Sequence, residues 1–345
     1  MRVALYDDPV FREHDAGPGH PERPRRLQAL RDGLRRAGIE DEMELRAPRP
    51  ATGEELRRVH TAEHVAAVAA TAGRTVRFDP DTQAGPRSYA AALAAAGAVT
   101  DAVDRILDGA LDRAFCLARP PGHHAEADRA MGFCLFNNVA VAAAHALARG
   151  LSRVAIVDFD VHHGNGTQHM FEADPRVLYV SSHAYPFYPG TGSLAEVGTG
   201  PGRGFTVNLP LPPGTGDAEY ARVYGEIVEP IGRAFDPELV LVSAGFDAWG
   251  GDPLAPMALT ARGYAELADV CLALAAGASG GRAVFALEGG YDLVGLAASG
   301  AAVGRALLGE RQARVTPAGP ELDPLLAEYR RVLSPHWPSV LRGRG

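Results

Sequence analysis

Cysteine is scarce in this sequence: 345 residues contain only Cys116, Cys134 and Cys271, far apart and without a CxxC pair. That excludes a disulfide framework and a thiolate zinc knot, and it leaves three buried thiols as the expectation. Positive charge is also in deficit. A net charge of -8, a pI near 5.8 and the lack of a dense basic cluster argue against direct binding to nucleic acid. No uncharged apolar run approaches the roughly eighteen residues of a membrane span. Even the alanine-rich stretch 90–103 carries Thr100 and Asp101. The start, Met1 to Tyr6, lacks the basic, apolar and small-residue segments of a secretion signal, so a cytoplasmic location is expected.

What is present is ordinary globular composition, 46% hydrophobic and 22% charged, enough to bury a sizeable core. Short apolar or β-branched runs predict strands at 2–6, 114–118, 153–157, 177–181, 205–209, 239–243 and 282–287. Between them, helices are expected near 24–37, 53–71, 87–108, 138–149, 217–234, 260–276 and 293–308. This alternation predicts an α/β fold, a mostly parallel multi-stranded sheet flanked by helices. No repeat or low-complexity linker divides the chain, so one domain over 1–345 is expected. Its last part, 310–345, reads as an irregular, proline-rich segment closing over the rest.

The unusual motifs share a position: each follows the carboxyl end of a predicted strand, where open parallel sheets place their ligand sites. They are RPPGHH at 119–124, DFDVHHGNG at 158–166, SSH at 181–183, SAGFD at 243–247 and EGGYD at 288–292. In the second, Asp158, Asp160 and His162 alternate with apolar residues, which points all three to one side. A divalent ion held by Asp160, His162 and the distant Asp247 would have two oxygens and one nitrogen, with a position left open for water. Zinc suits this set, and so does iron(II). Asp158, one pleat behind, would orient an imidazole or hold a monovalent cation with nearby carbonyls and Ser181. The plainer alternative is a pair of capping aspartates beside a buried histidine. Three acids packed together without a cation would cost several kcal/mol, which disfavours it.

His123 and His124 follow a rigid Pro120-Pro121-Gly122 turn. Amide hydrolysis by a metal-activated water needs a base for the water and an acid for the leaving amine, and an imidazole can serve as either. Tyr291, after Gly289-Gly290, could bring its phenol to the scissile carbonyl and stabilise an oxyanion.

At this point the chain resembles the histone deacetylase superfamily, which includes bacterial-type deacetylase-like amidohydrolases, acetylpolyamine amidohydrolases and acetoin-utilisation proteins. The resemblance rests on GHPERP (19–24), RPPGHHA (119–125), GFCLFNN (132–138), DFDVHHGNGTQ (158–168), FYPGTG (187–192), SAGFDA (243–248) and LEGGYD (287–292), in family order. It implies a three-layer arginase/deacetylase-type fold and a zinc-dependent deacylase. Asp160, His162 and Asp247 match the zinc ligands, His123 and His124 the paired imidazoles, and Tyr291 the carbonyl-polarising tyrosine. Gly132, Phe133 and Tyr188 match the walls of a narrow channel for an acyl-amine arm. The resemblance gives the proton transfers to His124 and ties His123 to Asp158. Asn165, where some members have Asp, is similar to the class II branch and would raise the basicity of His124 less than a carboxylate. Asp158, Asp160, His162, Ser181 and Ser182 are the candidate residues around a monovalent cation, with potassium as a structural ion the expectation. Arginase-like enzymes need a DxHxD pattern for two manganese ions, and Gly164 breaks it here.

Polyamine-preferring relatives offer an acidic gate, whereas Leu254 stands at the corresponding rim position. This favours an uncharged arm such as acyl-lysine, or a small acylated amine, over an acetylpolyamine. Asp79 and Asp81, in the loop before the 87–108 helix, could bind substrate backbone amides or a cation, although exposed loop acids are more often only solvated. A homo-oligomer is compatible with the sequence, which does not determine the oligomeric state. A silent ligand-binding member of the family is the reading from another class, disfavoured by the complete set of ligands, imidazoles and tyrosine.

Overall fold

The computed structural model describes residues 1–310, 312 and 314–341. Its centre is an eight-stranded sheet: β1 (Val3–Tyr6), β2 (Glu44–Arg46), β3 (Arg113–Cys116), β4 (Val154–Asp158), β5 (Val177–Ala184), β6 (Thr206–Leu211), β7 (Leu239–Ala244) and β8 (Ala283–Leu287). Their spatial order is β2, β1, β3, β8, β7, β4, β5, β6, and every pairing is parallel. Helices cover the sheet, and strands such as Val-Ala-Ile-Val-Asp in β4 and Leu-Val-Leu-Val-Ser-Ala in β7 are buried at every residue. That explains why these strands read as unbroken apolar runs rather than alternating ones.

All seven expected strands form. The eighth, β2, escaped notice because Glu-Leu-Arg at a solvent-facing edge has no apolar signature. The helix expected over 53–71 is two, Gly53–Leu56 and Ala62–Ala69. Thr61 interrupts it, its side chain accepting the His64 N–H at 3.1 Å and so capping a new helix. The closing segment 310–345, of which residues 311, 313 and 342–345 lie outside the described residues, is less irregular than its prolines imply. Asp323–Leu333 is an α-helix with a proline in its first turn, a tolerated position, and it buries Leu326, Tyr329 and Leu333. Tyr329 also donates to the Pro210 carbonyl at 2.7 Å, which ties this segment to β6. Among the described residues no helix is long and apolar enough to cross a membrane.

Candidate metal centre and active site

Four adjacent strands, β3, β8, β7 and β4, deliver their following loops to one place at the carboxyl edge of the sheet. β3 leads to His123 and His124, β8 to Tyr291, β7 to Asp247, and β4 to Asp160 and His162. Strand β4 ends at Asp158, and the chain beyond it curls instead of continuing the pleat. Asp158 accepts the N–H of Asp160 at 3.1 Å and Asp160 that of His162 at 2.9 Å. These local bonds, not strand alternation, aim the side chains.

Asp160, His162 and Asp247 offer ligand atoms that all lie within 4.8 Å of one another. His162 Nδ1 is 3.1 Å from Asp160 Oδ1 and 3.3 Å from Asp247 Oδ2. Asp247 Oδ2 is buried and has no hydrogen-bond partner among the described residues, a costly state for a carboxylate oxygen unless a cation faces it. Burial, then the charge of Asp160, raises the Asp247 carboxyl above its ordinary range. Burial opposes protonation of His162, yet its hydrogen bond to Asp160 and the nearby charge of Asp247 push it up to about 10. Two carboxylates demanding positive charge around an orphaned oxygen fit a divalent cation. Gly289 makes room for them: a Cβ there would stand 2.0 Å from Asp247 Oδ2 and 2.6 Å from Asp160 Oδ2.

The paired imidazoles have centroids 4.0 Å apart but opposite electrostatics. His123 Nδ1 lies 3.0 Å from Asp158 Oδ2, which also accepts from the Tyr179 hydroxyl at 3.1 Å. Burial disfavours charge on His123, but Asp158 and then Asp160 outweigh it and push the ring up to about 10. His124 Nδ1 meets the uncharged Asn165 Oδ1 at 2.8 Å. Burial, reinforced by His123 and His162, holds His124 well below its ordinary 6.5. The surroundings thus favour charge on one ring and the neutral form of its neighbour.

A cavity of about 240 Å³ opens beside them, lined by His123, His124, Gly132, Phe133, Asp160, His162, Tyr188, Leu254 and Tyr291, with Asp81, Pro121, Phe187 and Gly289. Phe133 stands across from Tyr291 at 6.0 Å between centroids and adopts a φ of 69°, a conformation rare for a bulky residue. Gly132 before it allows close approach, since a Cβ there would lie 2.5 Å from the His124 ring. Burial drives the Tyr291 phenol well above its ordinary 10, so it stays protonated and can donate. Asp158, Asn165 and Asp247 sit behind the cavity wall. Of the five residues expected around a monovalent ion, Asp158 is level with Ser181 across the sheet. The Ser181 hydroxyl, however, pairs with His183 Nδ1 at 2.9 Å and that of Ser182 with the Tyr224 hydroxyl at 2.8 Å. Asp81, for which the sequence leaves both a substrate contact and plain solvation open, lines the cavity from the turn between Val76–Arg77 and Gln83–Ala84.

Several supporting residues were not anticipated. Buried Glu288 accepts the N–H groups of Gly122 at 2.6 Å and His123 at 3.2 Å, bracing the histidine loop, and burial pushes its carboxyl up to about 7. Asp252 accepts from the backbone of Tyr291 at 2.6 Å and of Asp292 at 3.0 Å. Arg26 donates to the Gly290 carbonyl at 2.6 Å with its guanidinium 4.9 Å from the Tyr291 ring centre. Glu288 opens the EGGYD motif and Asp252 stands two residues before Leu254, and that proximity is the signal that could have found them.

Residues 20–307 match the family model of the histone deacetylase domain. A probable deacetylase of Archaeoglobus fulgidus is 43% identical over 287 residues, covering 83% of this chain and 80% of that protein. The human polyamine deacetylase HDAC10 is 42% identical over 362 residues, covering 97% of this chain and 51% of that protein. The chain spans 59% of the length of histone deacetylase 15 of Arabidopsis thaliana, with 44% identity. The crystal structure of the HDA15 HD domain superposes with a TM-score of 0.90 at 42% identity, over 99% of this chain and 96% of that one.

Proposed function

The chain belongs to the histone deacetylase family and is a hydrolase acting on amides, and on that premise we propose that it removes acyl groups from a lysine-like side chain or a small amine with a zinc ion as cofactor. The observation that carries this reading is the orphaned Asp247 oxygen in the Asp160, His162 and Asp247 cluster, beside one neutral and one charged imidazole. Those three residues would hold the ion, with iron(II) the other candidate for the same donors. When bound, it supplies Lewis acidity toward a water and an amide carbonyl.

The chain's own groups do the rest. Phe133 and Tyr188 flank an extended acyl-amine arm, with Gly132 and Leu254 beside it, and exclude water from its length. His124, neutral, accepts the proton of the attacking water at Nε2 and returns it to the nitrogen of the leaving amine. His123, held charged by Asp158, stabilises the negative charge that develops next to it. Tyr291 donates its hydroxyl hydrogen to the oxygen of the former carbonyl, and collapse of the adduct breaks the C–N bond. His124→Ala is therefore expected to lower kcat more than His123→Ala at unchanged metal content, and equal losses would remove this division of roles. A potassium ion near Asp158 and a cytoplasmic location belong to the same reading.

Leu254 offers no charge to a polyamine, which favours acyl-lysine, while Asp81, which also lines the cavity, supports an acylated polyamine as the second reading. The deciding experiment is turnover of acetyl-lysine peptides and acetylspermidine by the purified zinc-loaded chain, before and after chelation. No turnover of any acylated amine at full metal loading would overturn the assignment. All 34 basic residues of the chain other than histidine are arginine, so acyl-lysine detected in the assay cannot come from the enzyme.

A further inference from the structure

His124 can act as a base toward the cavity only if its hydrogen sits on Nδ1, and the residue at Nδ1 is an amide, which can present either a donating or an accepting end. The outcome is decided one step further back. Asn165 Nδ2 faces Glu126 Oε1 at 2.5 Å and the His124 carbonyl at 3.2 Å. Both are acceptors and neither can donate while Glu126 is ionised. Burial opposes that ionisation, but His169 and Asn165 hold the carboxyl below its ordinary range. Turning the amide around would set its oxygen against a carboxylate and a carbonyl. Asn165 Oδ1 must therefore face His124, and a ring nitrogen 2.8 Å from an oxygen that only accepts has to carry the hydrogen. Nε2 is left with its lone pair, and it makes no hydrogen bond to a described residue.

We propose that Glu126 is a positioning residue for the acid/base imidazole: through the Asn165 amide it locks His124 in the tautomer with hydrogen on Nδ1. The proposal rests on the proton-transfer role given to His124 above. Glu126 is placed for the task because it lies two residues beyond His124 on one loop and is nearly buried, and both of its oxygens meet His169 Nδ1, at 2.9 and 3.0 Å. The two loops pack closely: a Cβ on Gly166 would stand 2.1 Å from the Ala125 carbonyl oxygen. The arrangement also accounts for Asn rather than Asp at position 165: a carboxylate there would meet that of Glu126 head on.

The test combines a mutant cycle with a spectroscopic readout on the zinc-loaded enzyme. Asn165→Asp should lower kcat about 100-fold with metal content and KM little changed, the upper range for partners one shell behind a site. Glu126→Gln should cost only a few-fold, because its amide oxygen can still accept from Asn165. Adding Glu126→Gln to Asn165→Asp should restore at least about 10-fold of the loss, since the facing carboxylates are gone. Losses that simply multiply would overturn the proposal. Nitrogen-15 spectra of histidine-labelled enzyme, with the His124 signals assigned by substitution, read the tautomer without reference to activity. Wild type should show hydrogen on Nδ1 and Glu126→Ala a mixture, and a tautomer unaltered in Glu126→Ala overturns the proposal whatever the rates. A mixture with unchanged kcat supports it and instead takes down the assignment of proton transfer to His124.

Discussion

Two clusters of buried charge lie close together at the carboxyl edge of the sheet, and they are closed in opposite ways. In the first, Glu22 lies between Arg26 and Arg119, all three with at most 1% exposure. Arg119 meets both Glu22 oxygens, at 2.5 and 2.8 Å, and Arg26 meets one at 3.0 Å. The spare guanidinium donors go to backbone carbonyls of Phe11, His14, Glu288 and Gly290. Every charge there finds its partner inside the chain. In the second, Asp158, Asp160, Asp247 and Glu288 gather around His123 and His162, and an oxygen of Asp247 remains unpartnered. The first cluster balances its carboxylate with two guanidinium groups from the chain itself and so serves architecture, splinting the Tyr291 turn. The second gathers four acids around two imidazoles, an excess of acid that fits a cation from outside.

The sharpest way to break this contrast is to remove an acid from the open cluster. Asp160→Ala and Asp247→Ala should each abolish metal binding and lower turnover by about 1,000-fold or more while the chain stays folded, read by metal analysis beside a kinetic assay. Normal metal loading in either variant would mean that the ion is held elsewhere. The reverse pattern is expected in the closed cluster. Arg119→Ala strands a buried carboxylate and should cost about 3–5 kcal/mol in denaturant unfolding, with the metal retained by the molecules that remain folded.

Tyr291→Phe sits between the two, since the tyrosine faces the open cluster but is held by Arg26 from the closed one. It should keep the metal and lose about 2.7–4 kcal/mol of transition-state stabilisation, a fall in kcat of about 100- to 1,000-fold. Unchanged turnover would withdraw its oxyanion role. The mildest test is pH. Burial alone would raise the Glu22 carboxyl, but Arg119, His14 and Arg26 hold it well below its ordinary 4.5. A depressed folded-state value gives stability that is present above the unfolded value and lost as pH falls below it. The midpoint of unfolding should therefore decline from about pH 4.5 downward, and less so in Glu22→Gln. An equal decline in both proteins would assign acid sensitivity to the open cluster instead.

Legibility in the sequence followed the length scale of each interaction. Buried parallel strands are apolar along most of their length, and the loops after β3, β4, β7 and β8 bring Asp, His, Gly or Tyr within a few residues, so the sheet and its candidate site could be read directly. Short-range chemistry hides more. The cap at Thr61 splits a helix whose apolar pattern continues through it, and Asp323–Leu333 was masked by prolines that a first helical turn tolerates. Asp81 looked like an ordinary loop acid because nothing local says where the ribbon tip folds.

What the residues offer unaided is a candidate ligand set of two aspartates and a histidine, with a tandem imidazole and a tyrosine, each after a strand of a parallel sheet. Which of those groups is charged is decided by tertiary structure alone. Charge in a buried site depends on the field of all neighbours within a few ångströms, and those neighbours come from loops far apart in the chain. His123 and His124 are identical and adjacent in sequence, and only their different partners, Asp158 and the Asn165 amide backed by Glu126, make one a cation and the other a base.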